Sequence, residues 1–149
     1  MSTAQHLAAI DLLRSREFPA EHGRSRCGSE GPGYHIAELL TSEAFWEDDG
    51  TLREATEEQY EAERDGLSVL LADRWGPPQR FSLASLFERA LDPGRTGEEI
   101  PEPWARLSSS VPDLHLWHAD GRWIALGVAQ WDRELPFQLL AVVTEIDPP

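Results

Sequence analysis

The residues with the greatest chemical potential lie in one short stretch, LHLWHADGRWIALGVAQW, at 114–131. Two histidines and three tryptophans flank Asp120-Gly121. Imidazoles bind metals and move protons near neutral pH, and tryptophan faces bind apolar or aromatic groups. An Asp-Gly pair between apolar runs also predicts a two-residue hairpin turn of type I′. The stretch is therefore either a binding site or the aromatic core of a sheet.

The predicted hairpin register separates the two histidines. His118 opposes Trp123 across the turn, and His115 lies three residues before His118. Residues three apart in a strand point to opposite faces, so these histidines cannot share a metal. His118 beside Asp120 is a weak general-base candidate because no nucleophile is evident. We predict no catalytic residue and no metal site here.

A row of small residues lies between Trp123 and Trp131, on the face that also carries His118. The row consists of Ala125, Gly127 and Ala129. Small residues let another group approach the sheet closely. We expect the second half of a helix at 51–75 to cover the row. The alternative is a ligand or a partner side chain held between the two tryptophans, which would make the chain a small enzyme or a ligand-binding protein.

A glycine-rich loop at 19–33 and the residues after it hold a second group of reactive side chains. His22, Cys27 and His35 offer three metal-ligand types, but their spacing matches no zinc module and a fourth ligand is missing. Arg24 and Arg26 make the loop locally basic, so an anion nest is a minor alternative to plain loop. No phosphate-binding glycine motif follows a strand there. We predict no cofactor.

An acidic segment dominates the charge pattern. Residues 41–65 contain ten acidic and two basic side chains, a net charge of −8. Acids near a helix N-terminus are favourable, but like charges at i,i+4 spacing cost a few tenths of a kcal/mol each. The exposed helix face carries Glu54, Glu57, Glu58 and Glu61. This face is either merely solvated or a surface for a basic partner.

The connection after the second hairpin strand adds polar groups beside an aromatic residue. Asp132 and Glu134 follow Trp131 directly. Polar groups around a tryptophan are typical of the rim of a protein interface. A solvated turn is the alternative. We therefore include Asp132, Glu134, Trp123 and Trp131 among the predicted partner-binding residues.

Composition bounds the class of protein. The 149 residues carry a formal net charge of −14, and all 13 basic residues are arginine. This charge disfavours nucleic acids and anionic membranes as partners, since both require cationic patches. The chain has no run of about 18 apolar residues and no basic leader, so we expect a cytoplasmic protein. The absence of lysine and asparagine indicates a bacterial genome rich in G and C.

Periodicity predicts a single α+β domain over residues 1–149. Helical spacing appears at 4–18 and 51–75, where Thr51 and Glu54 form a capping box, and a shorter helix ends near Leu91. The ambiguous segment 34–46 is interpreted as helix, and 79–83 as a short strand. An irregular connection at 92–112 holds Trp104, which we expect to pin it to the core. The predicted sheet is a C-terminal antiparallel meander of three strands, or four, under N-terminal helices.

These features together predict a non-enzymatic protein that captures a basic protein partner. An immunity protein, an antitoxin, a secretion chaperone and an assembly adaptor all fit this description. A homodimer formed through an open sheet face is a further alternative.

Overall fold

The computed structural model describes residues 3–24, 28–47, 50–83 and 100–148. Within these ranges the fold is mixed α+β, as predicted, but its sheet has seven antiparallel strands and not three or four. The strand order is β1-β2-β3-β7-β6-β5-β4. The strands are β1 (Gly23–Arg24), β2 (Gly28–Gly31), β3 (Tyr34–Thr41), β4 (Gln79–Ser82), β5 (Asp113–Ala119), β6 (Arg122–Ala129) and β7 (Gln138–Thr144). The helices in the described ranges are α1 (Thr3–Ser15), α2 (Thr51–Trp75) and α3 (Trp104–Ser108).

Helix α2 has the predicted bounds but a different start. The Glu54 backbone N–H donates to the carbonyl of Gly50 at 3.1 Å, so Gly50 is the N-cap and Thr51 already belongs to the helix. No side chain caps this end, and the predicted capping box is wrong. Gly76 ends the helix with a φ of 88°, a conformation that suits glycine.

The interpretation of 34–46 as helix is wrong. This segment forms β3, which pairs with β2 on one side and β7 on the other. Tyr34 and Ile36 pack on one face of the sheet, while Ala37 and Leu39 pack on the other. Part of the predicted loop at 19–33 likewise forms β1 and β2. Backbone hydrogen bonds from the neighbouring β2 and from β7, which is distant in sequence, decide this. Helical apolar spacing over a few residues cannot reveal them.

The β5–β6 hairpin confirms the predicted register. His118 pairs with Trp123 and His115 with Leu126. Asp120 and Gly121 both have positive φ, 55° and 77°, as a type I′ turn requires. The two histidines therefore lie on opposite faces of the sheet.

Two hydrophobic cores sandwich the sheet. On the first face, α1 and α2 pack on the strands, and Leu67 and Leu71 of α2 join the core of Ile124 and Leu126. On the second face, α3 and the residues around it cover β5, β6 and β7. The expectation that α2 covers the row of Ala125, Gly127 and Ala129 is therefore wrong. The alternation of side chains along β6 does not determine which of its two faces α2 packs against.

The segment before β5, which was predicted to be an irregular connection, covers the second face of the sheet. Trp104 is fully buried, as predicted, and its indole N–H donates to the carbonyl of Ile146 at 3.1 Å. The backbone N–H of Gln130 donates to the carbonyl of Ser110 at 3.0 Å, which fastens the segment to the end of β6. The shorter helix predicted to end near Leu91 lies outside the described residues.

Candidate functional site

The predicted acidic face lies along one flank of α2. Glu54 and Glu58 are exposed, whereas Glu57 and Glu61 are half-buried. Among the described residues, only Glu57 of these four makes an ion pair, at 3.5 Å to Arg53. The other three carboxylates make no ion pair with a described residue, so this flank carries a net negative charge.

A shallow groove of about 200 Å³ runs between this flank and the segment before β5. Glu57, Glu61 and the guanidinium groups of Arg53 and Arg64 line its helix side, and Asp113 lies opposite. Arg53 donates to the Gln130 side-chain oxygen at 2.7 Å, and its guanidinium lies 5.4 Å from the centre of the Phe137 ring. Arg64 lies 3.7 Å from Asp113. The groove is thus held in shape by its own arginines.

The two predicted tryptophans do not form one site. The Trp123 ring packs against His118 in a tilted arrangement, with ring centroids 4.5 Å apart, and its indole N–H donates to Asp147 at 2.8 Å. Trp131 remains 49% exposed and lines a different cleft, beside α3. The predicted pocket is therefore not one site. Trp123 and His118 contact each other, whereas Trp131 lines the cleft beside α3.

The loop between β6 and β7 carries Asp132 and Glu134, both exposed as predicted. The Glu134 carbonyl accepts from the backbone N–H of Phe45 at 2.8 Å. This bond joins the loop to the segment that enters α2, where Trp46 is 65% exposed. The sequence analysis missed Trp46, and only its position inside the acidic segment could have signalled it.

The row of small residues is filled by the chain itself. A Cβ atom on Gly127 would lie 2.8 Å from a methyl group of Leu114 and 2.8 Å from one of Val111. Ala125 and Ala129 are also buried in this contact. The row serves close packing of Leu114 and of Val111 in the segment before β5.

Substituting Gly127→Ala tests this packing. We expect a loss of about 1–3 kcal/mol in the free energy of unfolding, because the added methyl overpacks a filled core. Urea denaturation followed by circular dichroism measures it. The control is Gly66→Ala in α2, where a Cβ meets nothing within 4 Å and helix propensity favours alanine. Equal stability of Gly127→Ala and the parent chain would contradict the close packing.

The histidine interactions favour structural roles. The Asp120 carboxylate, two residues from His118 in the sequence, accepts from Arg14 at 2.7 Å. His115 shares a hydrogen bond of 2.9 Å with the Ser68 hydroxyl, and its Nε2 lies 4.0 Å from Asp65. These three residue types resemble a hydrolytic triad, but Ser68 is 5% exposed, which leaves its hydroxyl closed to a substrate. Burial and the nearby Arg64 lower the pKa of His115, which keeps it neutral.

The candidate metal ligands in the glycine-rich region have other partners. His22 Nδ1 bonds to the Tyr34 hydroxyl at 2.8 Å, and His35 Nδ1 bonds to Glu30 at 3.0 Å. Cys27 and Arg26 lie outside the described residues. Across the described ranges, no group of three or more His, Cys, Asp or Glu side chains is placed to hold a metal ion.

Comparison with known proteins assigns no family. No protein-family model, no curated protein and no solved structure matches the chain. In the part of the chain that the structure describes, no helix combines the length and apolar character needed to cross a membrane.

Proposed function

We propose that this chain is a non-enzymatic binding protein that captures a basic protein partner on the acidic flank of α2. The observation that carries the proposal is that Glu54, Glu58 and Glu61 share one flank without an ion pair to any described residue. We define the acidic flank as these three residues together with Glu57. A cationic surface would supply the missing charge.

Repulsion between the clustered carboxylates of the acidic flank slightly destabilises the folded chain. Glu54 with Glu58, and Glu57 with Glu61, are like-charged pairs at i,i+4 spacing, each unfavourable by a few tenths of a kcal/mol. Only Glu54 stands in the first turn, where the helix dipole favours an acid. Solubility alone would be served by dispersed charges. Their concentration on one flank supports a role in partner recognition.

Exposed apolar side chains lie near the start of α2. Leu52 is 56% exposed, and Trp46 is the most exposed large apolar side chain among the described residues. Protein interfaces combine aromatic anchors with a charged rim, in which the charges speed encounter and the aromatic residues hold the complex. The proposed interface therefore has Trp46 as its anchor. Leu52 is two residues from Glu54, about 200° around the helix, and lies outside the acidic flank. Asp132 and Glu134 extend its rim.

The partner class follows from this chemistry. A basic toxin, a basic secretion substrate and a basic assembly subunit would each present a cationic surface, and we place the complex in a bacterial cytoplasm. A homodimer through the acidic flank is disfavoured because two copies would bring like charges together. A nucleic acid or an anionic membrane would be repelled for the same reason.

The experiment is affinity capture from the native cell followed by association kinetics with the recovered partner. The test variant replaces Glu54, Glu58 and Glu61 by Gln. We expect its association rate constant at low salt to fall about tenfold, and the parent rate to fall steeply as salt is raised. Stopped-flow fluorescence measures both rates.

A matched control removes the same charge elsewhere. Glu17, Glu21 and Glu145 are exposed and lie off α2, so replacing all three by Gln leaves the net charge equal to that of the test variant. We expect the control to keep most of the parent rate. A parent rate that is flat with salt, or equal loss in the two variants, would contradict the proposal, and the flank would then serve only solubility.

A further inference from the structure

A second cleft, of about 290 Å³, lies on the opposite face of the sheet from α2. We call it the α3 cleft, because Arg106, Leu107 and Ser110 from α3 and its C-terminal turn form one wall. The sheet forms the floor with Ile36 and Leu140. Trp131 stands at the rim. The volume of the cleft is just below the usual range for ligand pockets, about 300–1,000 Å³.

The charges in the α3 cleft favour an anion. Arg24 is already matched, since its two terminal nitrogens each lie 3.2 Å from a carboxylate oxygen of Glu38. Gln138 donates to the same Glu38 carboxylate at 3.2 Å. The exposed guanidinium of Arg106 makes no hydrogen bond or ion pair with another described residue. The cleft thus carries a net positive charge in a chain whose total is −14.

Ser110 gives an independent indication of a ligand. Ser110 lines both this cleft and the groove beside α2 and is 8% exposed, and its hydroxyl oxygen is buried without a hydrogen-bond partner in the described residues. An unsatisfied buried hydroxyl costs about 1–3 kcal/mol, and native structures retain few of them. Once the Ser110 side chain turns toward the cleft, an oxygen or nitrogen of a bound molecule would satisfy this hydroxyl.

The remaining surface of the cleft defines the rest of the ligand. Leu107, Leu140 and Ile36 are buried apolar residues, and the half-exposed Trp131 ring offers an aromatic face. We infer that the α3 cleft binds a carboxylate attached to a small apolar or aromatic body. The Arg106 guanidinium pairs with the carboxylate, Ser110 bonds to a polar atom of the ligand, and the Trp131 ring covers the body. The same chemistry occurs in a small free acid and in the C-terminal residue of a peptide.

This site is independent of the acidic flank. Its lining shares no residue with that flank, and its charge has the opposite sign. Failure to find a basic partner would leave the proposed ligand site intact, and failure of the ligand site would leave the acidic flank intact.

The test is NMR titration of the full-length protein with four probes. Phenylacetate represents the free acid and N-acetyl-glycyl-phenylalanine the peptide terminus; phenylacetamide and the amide of that dipeptide are their neutral counterparts. We expect the acids to shift the indole N–H signal of Trp131, assigned with Trp131→Phe, and the Nε–H signal of Arg106. Each neutral counterpart should bind at least about tenfold more weakly, because charge-assisted bonds are the stronger ones. The acid that binds more tightly identifies the source.

Two variants complete the test. Arg106→Gln should weaken binding of the acids about tenfold, and Ser110→Ala several-fold. The control is Arg80→Gln, which removes an exposed arginine from the edge strand β4, away from the cleft. Thermal unfolding checks that all variants fold. Absence of shifts at millimolar acid, equal binding of the neutral probes, or unchanged affinity in Arg106→Gln would each overturn the inference.

Discussion

Trp104→Ala is expected to lower the free energy of unfolding by about 3–5 kcal/mol, the usual cost of deleting a buried large aromatic side chain. Trp104 is 0% exposed and packs edge-on against Phe81, with ring centroids 6.1 Å apart. Its indole N–H also bonds to the Ile146 carbonyl, which the substitution leaves unsatisfied. The loss of stability should be large because this side chain connects α3 to the hydrophobic core on the face of the sheet opposite α2.

Urea denaturation followed by circular dichroism measures the effect. Trp104→Phe should lose less, because it keeps most of the apolar volume and forfeits mainly the hydrogen bond. The matched control is Trp46→Ala, in which the deleted side chain is 65% exposed and the expected change is within about 0.5 kcal/mol. Similar losses at the two tryptophans would contradict the assignment of Trp104 as the anchor of α3.

Acidification from about pH 7.5 to about pH 5.5 is expected to lower the free energy of unfolding. The groups responsible are the buried histidines His6, His35 and His115. Burial lowers the pKa of all three below 6.5 in the folded state. The unfolded chain therefore takes up protons first as the pH falls through 6.5. The buried histidines, while neutral, therefore stabilise the folded state above pH 6.5, and this stabilisation is lost as the pH falls below it.

Nearby charges moderate this effect without reversing it. Glu30 beside His35 raises the pKa of this histidine. The charge of Arg16 lowers it, and a hydrogen bond with the Arg16 backbone raises it. Near His115, Arg64 and Arg80 lower the pKa, whereas Asp65 and Asp113 raise it.

Nearby groups also shift the pKa of His6, the buried histidine near the N-terminus, in both directions. Glu63 and the backbone at Leu39 raise the pKa of His6, and the chain's amino terminus lowers it. Carboxylates titrate mainly near pH 4, so relief of the acidic repulsion contributes little between pH 7.5 and 5.5.

Urea denaturation at a series of pH values tests the histidine effect. His115→Gln removes one titrating group while an amide can still bond to Ser68, so it should reduce the pH-dependent loss by about one third. His118→Gln is the control, because His118 is exposed and lies on the opposite face. Stability that stays constant or rises toward pH 5.5 would show that the buried histidines accept protons freely.

The sequence by itself determined the features that depend on neighbours in the chain. The Asp120-Gly121 turn set the β5–β6 register, since its positive φ angles twist the two strands into pairing. Side-chain parity then correctly separated His115 from His118. The length of α2 and its end at Gly76 also followed from local patterns, as did the concentration of acids along its flank.

Only the tertiary structure decided which elements meet. The segment at 34–41 became a strand because β2 and β7 bond to its backbone, although its apolar spacing also fits a helix. Both faces of β6 are apolar, so the sequence did not reveal that α2 takes one and the segment before β5 takes the other. The α3 cleft likewise combines Arg24, Arg106 and Trp131 from distant parts of the chain. Such contacts are set by the free energy of packing the whole molecule, which no short stretch of sequence contains.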